Sequence, residues 1–71
     1  METRSFSKRE QDREQVYQIS LDRKKLRIRW GYAGEDLRVQ QLQFTSVDDA
    51  RSDYFGRISK LAEAGYLDAS E

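Results

Sequence analysis

The chain has 71 residues and 8.4 kDa, the size of one small domain, with 13 basic and 13 acidic residues and no His, Cys or Pro. Without Cys there are no disulfides, zinc thiolates or thiol nucleophiles, and without His the usual general base and the commonest transition-metal ligand are missing. An enzyme, a metal site and a bound cofactor are therefore not expected, and a reducing, cytoplasmic compartment is.

No membrane association is expected either. The longest stretch without a charge, Val39–Val47, contains three Gln, far from the roughly 20 apolar residues of a spanning helix. Hydrophobic and charged residues each make up 37% and mean hydropathy is −0.97, a polarity that raises the question of disorder. Zero net charge, eight aromatic residues and patterned apolar positions argue for a folded domain with a thin core. The charge is uneven. Residues 1–38 hold ten Lys/Arg against seven Asp/Glu, and the remainder reverses the balance.

In chain order, residues 1–13 are polar apart from Phe6 and read as a flexible arm or a short edge strand around Arg4–Ser7. From Glu14 the period becomes two: Tyr17, Ile19 and Leu21 alternate with Gln18 and Ser20, the mark of a half-buried strand. Asp22–Lys24 has the length of a hairpin turn. In the next run Leu26, Ile28 and Trp30 point one way and Lys25, Arg27 and Arg29 the other, giving an apolar ladder backed by a row of cations. Gly31 and Gly34 break the pattern. A further strand follows over Arg38–Phe44, where Leu37 and Val39 are out of phase with Leu42 and Phe44; a bulge near Gln40–Gln41 would reconcile them.

At Thr45-Ser46 the period changes again. Ser46 with Asp49 forms a weak capping box, and Ala50, Tyr54, Ile58, Leu61 and Ala62 trace one face of a helix of about four turns. Gly56 inside it suggests a close approach to the sheet, and Gly65 sits where a helix-terminating residue belongs, with Tyr66 and Leu67 placed to fold back. The expected fold is α+β: a small antiparallel sheet of three to five strands flanked by one C-terminal helix, residues 1–71 forming a single domain. One helix covers one face, so the cationic face of the sheet stays in water.

These residues resemble a known family. Tyr17-Gln18-Ile19, the basic strand ending Arg29-Trp30-Gly31, then Ala33-Gly34, Phe44, Ser46, Ala50 and Gly65-Tyr66 are similar in order and spacing to the WGR domain, over residues 4–67. The resemblance implies an antiparallel sheet with a flanking helix. It also implies a DNA-directed role, because the module helps poly(ADP-ribose) polymerases recognise damaged DNA and also occurs as a small independent chain in bacteria. In the polymerases the signature Trp touches the DNA terminus, a role that falls by position on Trp30. The chain departs from the family at Tyr32, where the signature has Arg, and at Leu37-Arg38, where Gly-Gln is usual. Tyr can stack and donate a hydrogen bond but cannot neutralise a phosphate.

Each candidate residue has two readings. Trp30 in the apolar phase is most simply a core residue; at the strand's end, beside a glycine loop, it is also placed to stack on a base. Lys25, Arg27 and Arg29 form either a solvated face or a phosphate-contacting stripe, and Arg38 on the neighbouring strand would widen that stripe. Tyr32 belongs either to a hairpin connection or to the stacking surface. The expected function is a non-catalytic nucleic-acid-binding module, with DNA the first ligand, using Lys25, Arg27, Arg29, Arg38, Trp30 and Tyr32. The alternative is a protein–protein interaction module using the same exposed sheet face.

Overall fold

The computed structural model describes residues 2–69. Five strands and one helix follow each other as β1 (Glu2–Glu10), β2 (Arg13–Asp22), β3 (Lys25–Tyr32), β4 (Arg38–Gln43), α1 (Val47–Glu63) and β5 (Leu67–Asp68). The sheet is antiparallel in the order β4-β3-β2-β1-β5. This is the α+β arrangement expected from the change of period at Thr45-Ser46. The segment expected as a flexible arm or a short edge strand around Arg4–Ser7 is a longer strand: β1 pairs with β2 from Glu2↔Leu21 to Glu10↔Arg13 and has β5 on its other side. Its serines and cations hide the alternation, because only Phe6 is buried there.

Both two-residue hairpin turns place a non-glycine residue in left-handed backbone, Gln11 at φ 55° and Arg23 at φ 56°. The favoured hairpin turns place Gly, Asn or Asp at such a position, so these turns carry no sequence signature. No bulge interrupts β4. Its register with β3 runs unbroken from Lys25↔Gln43 to Trp30↔Arg38. The phase conflict resolves differently: Val39 is 49% exposed and lies, with Leu37, on the face away from the helix, and Leu42 alone of β4 points into the core.

The helix starts on Ser46, whose hydroxyl accepts from the Asp49 N–H at 3.1 Å, with Asp48 and Asp49 in the first turn. It ends in a Schellman motif: the Tyr66 N–H donates to Leu61 O (3.0 Å), the Gly65 N–H donates to Ala62 O (3.1 Å), and Gly65 takes φ 95°. Tyr66 then packs back against the core, whereas Leu67 pairs through its backbone with β1 and leaves its side chain 73% exposed. Ala50, Tyr54 and Leu61 bury the helix against Phe6, Ile19, Leu21, Leu26 and Ile28, with Phe44 and Ile58 half-buried at the margin.

Gly56 makes no close approach: it is exposed, and a Cβ there would meet nothing within 4 Å. Gly56→Ala therefore stabilises the domain by about 1 kcal/mol through helix propensity alone, read as a higher denaturant midpoint at unchanged slope. Tyr54 carries a second local cost. The residue is 1% exposed and its hydroxyl is buried without a hydrogen-bond partner among the described residues. Burial first, and then the Glu2 and Asp68 carboxylates, push this phenol above its ordinary value near 10, with Arg4 opposing. Tyr54→Phe should stabilise the fold by about 1 kcal/mol. The raised folded-state value makes stability complete below pH ~10 and lost as pH rises through it. Tyr54→Phe removes part of that alkaline loss, which thermal melts at pH 8 and 11 will read.

Candidate functional site

Alternation along β3 separates the six candidate residues. Lys25, Arg27 and Arg29 are exposed on the face of the sheet opposite the helix, with Leu26 and Ile28 buried between them. Trp30 is half-buried and packs against the core on the helix side. Arg38 is the cross-strand partner of Trp30, so it shares the helix side and does not widen the cationic row. The β4 residues that stand beside the row are Val39, Gln41 and Gln43, opposite Arg29, Arg27 and Lys25.

The open face has a composition that the sequence reading passed over. Register places Ser5, Gln18 and Arg29 in one cross-strand row, and Thr3, Ser20, Arg27 and Gln41 in the next. Thr3 and Ser20 share a hydroxyl hydrogen bond of 3.0 Å, and the Gln18 amide donates to Ser5 Oγ at 3.3 Å. The signal was present as the period-two run Thr3, Ser5, Ser7, masked because Arg4 stands with Phe6 in the opposite phase. Two shallow depressions of about 510 and 280 Å³ lie on this face, the first beside Lys25, Arg27 and Gln41, the second beside Arg29, Ser5 and Gln18.

The charges of the row are unspent. Ion pairs among the described residues engage Arg4 with Asp68 (2.7 Å), Arg13 with Glu35 (2.7 Å), Arg51 with Glu2 (3.7 Å) and Arg57 with Asp53 (2.6 Å). None engages Lys25, Arg27 or Arg29. Asp22 stands opposite Lys25 in the ladder without forming an ion pair, and Glu14 is the other carboxylate in the phase of this face.

Trp30 and Tyr32 belong to a second feature. A hollow of about 250 Å³ at the end of the sheet is lined by Gln15, Tyr17, Trp30, Gly31, Tyr32 and Tyr66. Tyr66 donates to Gln15 Oε1 at 2.8 Å, and Tyr17 meets the Tyr66 ring edge-on with centroids 6.3 Å apart. The Arg13 guanidinium lies 3.6 Å from the Tyr32 ring centroid and is also held by Glu35. One face of Tyr32 is thus already covered, by a cation whose charge is neutralised. Tyr17, Tyr66 and Gln15 were not expected here, because only the β2–β3 register and the helix end bring them to Trp30.

No protein-family model matches the chain, and no curated protein matches it. Among solved structures, a protein from Bacteroides fragilis matches with a TM-score of 0.89 at 19% identity, over 96% of this chain and 19% of that one. The chain thus spans about a fifth of that protein's length. At this identity the likeness speaks for the fold alone. Among the described residues no group of three or more Asp/Glu/His/Cys is placed to hold a metal ion, and no helix is long and apolar enough to cross a membrane.

Proposed function

We propose that the chain is a non-catalytic nucleic-acid-binding module of the WGR type, directed to DNA and largely indifferent to base sequence. The observation that carries this reading is the row Lys25, Arg27 and Arg29: exposed, unpaired with any described carboxylate, and bordered by hydroxyls and amides that can donate to phosphate oxygens. Alternate residues on a strand lie about 6.8 Å apart, near the phosphate spacing of one nucleic-acid strand. Contacts of this kind fix position and carry no sequence information.

The aromatic hollow sits at the end of the same strand but on its helix side, so a ligand that also stacks on Trp30 has to turn over the strand end at Gly31. Arg38 plays no part in this reading, and Tyr32 offers one ring face at most. The test is a titration of the protein with labelled blunt duplex, nicked duplex and single-stranded DNA of two unrelated sequences at about 50 mM salt. Binding that is equal across sequences and weakened by Arg27→Ala and Arg29→Ala supports the reading; absence of binding at that salt ends it.

A second reading has its own observation. Val39 is 49% exposed and Leu67 73%, one at each margin of the open face, which suits a protein partner. An apolar contact responds little to salt, so the ionic-strength dependence separates the two.

A further inference from the structure

The edge of the sheet at β4 is unprotected. Sheet edges are ordinarily blunted by lysines, prolines, bulges or covering chain. β4 has no lysine, proline or bulge, and its one charge, Arg38, stands at its first position: it reads Arg-Val-Gln-Gln-Leu-Gln, its register is unbroken, and no described residue pairs with its outer side. The helix packs chiefly over β2 and β3. The opposite edge is treated differently, since β5 pairs with Phe6 and Ser7 and Ala69 donates to Ser5 O at 2.7 Å.

Ladder geometry shows which backbone groups are free. The Phe44 N–H donates to Lys24 O at 2.8 Å, one position beyond the Gln43↔Lys25 pair. Hydrogen-bonded pairs alternate along an antiparallel ladder, so Leu42, Gln40 and Arg38 also turn their N–H and C=O groups toward β3. Val39, Gln41 and Gln43 turn theirs outward. These three are evenly spaced about Gln41, which makes the edge complementary to itself.

The geometry points to a second copy of this chain as the occupant: two β4 strands pair antiparallel about a two-fold axis normal to the sheet at Gln41. Gln41 then faces Gln41 of the other copy, and Val39 faces Gln43, so that every outward N–H and C=O of the three residues is matched. The charge pattern permits it. Arg38 is the one charged residue of β4, and antiparallel pairing puts the two copies of it at opposite ends, each next to the other chain's Phe44. The two-fold also sets both rows of Lys25, Arg27 and Arg29 on one continuous face. The pairing itself stands without the nucleic-acid reading, and its test contains no DNA.

A strand-to-strand contact of this length falls below the ~1,200 Å² of standard interfaces and belongs with weak complexes, so it is tested near 1 mM protein. The chain lacks Cys, so one introduced thiol reports only contact between copies. Facing Cα atoms of a hydrogen-bonded pair lie about 5.5 Å apart, within the ~4.4–6.8 Å that a disulfide spans. Under mild oxidation Gln41→Cys should give a disulfide dimer on denaturing gels. Gln43→Cys alone should not, its two copies being about 14 Å apart, but mixed with Val39→Cys it should give the heterodimer. Sedimentation of the unmodified protein should show dimer at this concentration, and Gln41→Lys, which sets like charges face to face, should abolish it with circular dichroism unchanged. A monomer at ~1 mM, a dimer indifferent to Gln41→Lys, or equal cross-linking at positions 41 and 43 overturns the pairing.

Discussion

Ile28→Ala lowers the unfolding free energy by about 2–5 kcal/mol. Ile28 is 1% exposed at the middle of β3, beside Ile19 of β2, and it belongs to the cluster that Tyr54 and Leu61 close from the helix. The layer is only one helix deep, with few neighbours able to relax into the space left behind. A domain of this length holds about 4–11 kcal/mol in all, so the substitution removes a large share of it. At about 4–8 °C per kcal/mol, the thermal midpoint falls by at least about 8 °C. Leu42→Ala, at a half-buried position on the edge strand, should cost less than Ile28→Ala. A melt of Ile28→Ala indistinguishable from the parent would mean that the two faces of β3 are assigned the wrong way round.

Legibility of the fold in the sequence followed how strongly each segment couples its side chains to one face. β3 alternates without exception from Lys25 to Trp30, and the structure keeps that alternation in its burial. Ser46, Gly65 and the spacing of Ala50, Tyr54 and Leu61 fixed the helix and both its ends. β1 was not legible because Phe6 is its one fully buried residue: three others in the phase of Phe6 pair with charges or carbonyls at the rim, Arg4 with Asp68, Glu2 with Arg51 and Lys8 with Ala64 O. Polar partners do there what apolar packing does on β2, and periodicity analysis cannot see them. The bulge expected in β4 came from supposing that Val39 must be buried; on an edge strand with an open face, nothing requires it.

The candidate site was legible along one strand and not between strands. Lys25, Arg27 and Arg29 stand together on adjacent odd positions, so the backbone alone gathers them. Arg38 is as basic and stands on the neighbouring strand, yet its register with Trp30 sends it to the other face. The aromatic hollow needs residues 15, 17, 30, 32 and 66 in one place. That juxtaposition depends on two strands and a helix terminus, and no local pattern announces it.

The largest functional effect is expected from salt. If Lys25, Arg27 and Arg29 each neutralise one phosphate, the logarithm of the binding constant falls with the logarithm of salt at a slope near −2.7, about −0.9 for each contact on duplex DNA. Raising salt from about 50 to 200 mM then weakens binding roughly 40-fold. Arg27→Ala and Arg29→Ala should each flatten the slope by about 0.9, with the melting temperature held, since both side chains are exposed on the face away from the core. Arg38→Ala supplies the control that composition alone could not. It removes the same charge from the neighbouring strand, but on the helix side, and should leave the slope where it was. Arg57→Ala is a control of a different kind, because its cation is already held by Asp53 at 2.6 Å. If Arg38→Ala flattens the slope as much as Arg27→Ala does, the ligand runs across the helix side toward Trp30 and the open face is not the binding surface. If none of these changes moves the slope, phosphate contacts do not drive binding, and the exposed Val39 and Leu67 become the residues to test against a protein partner.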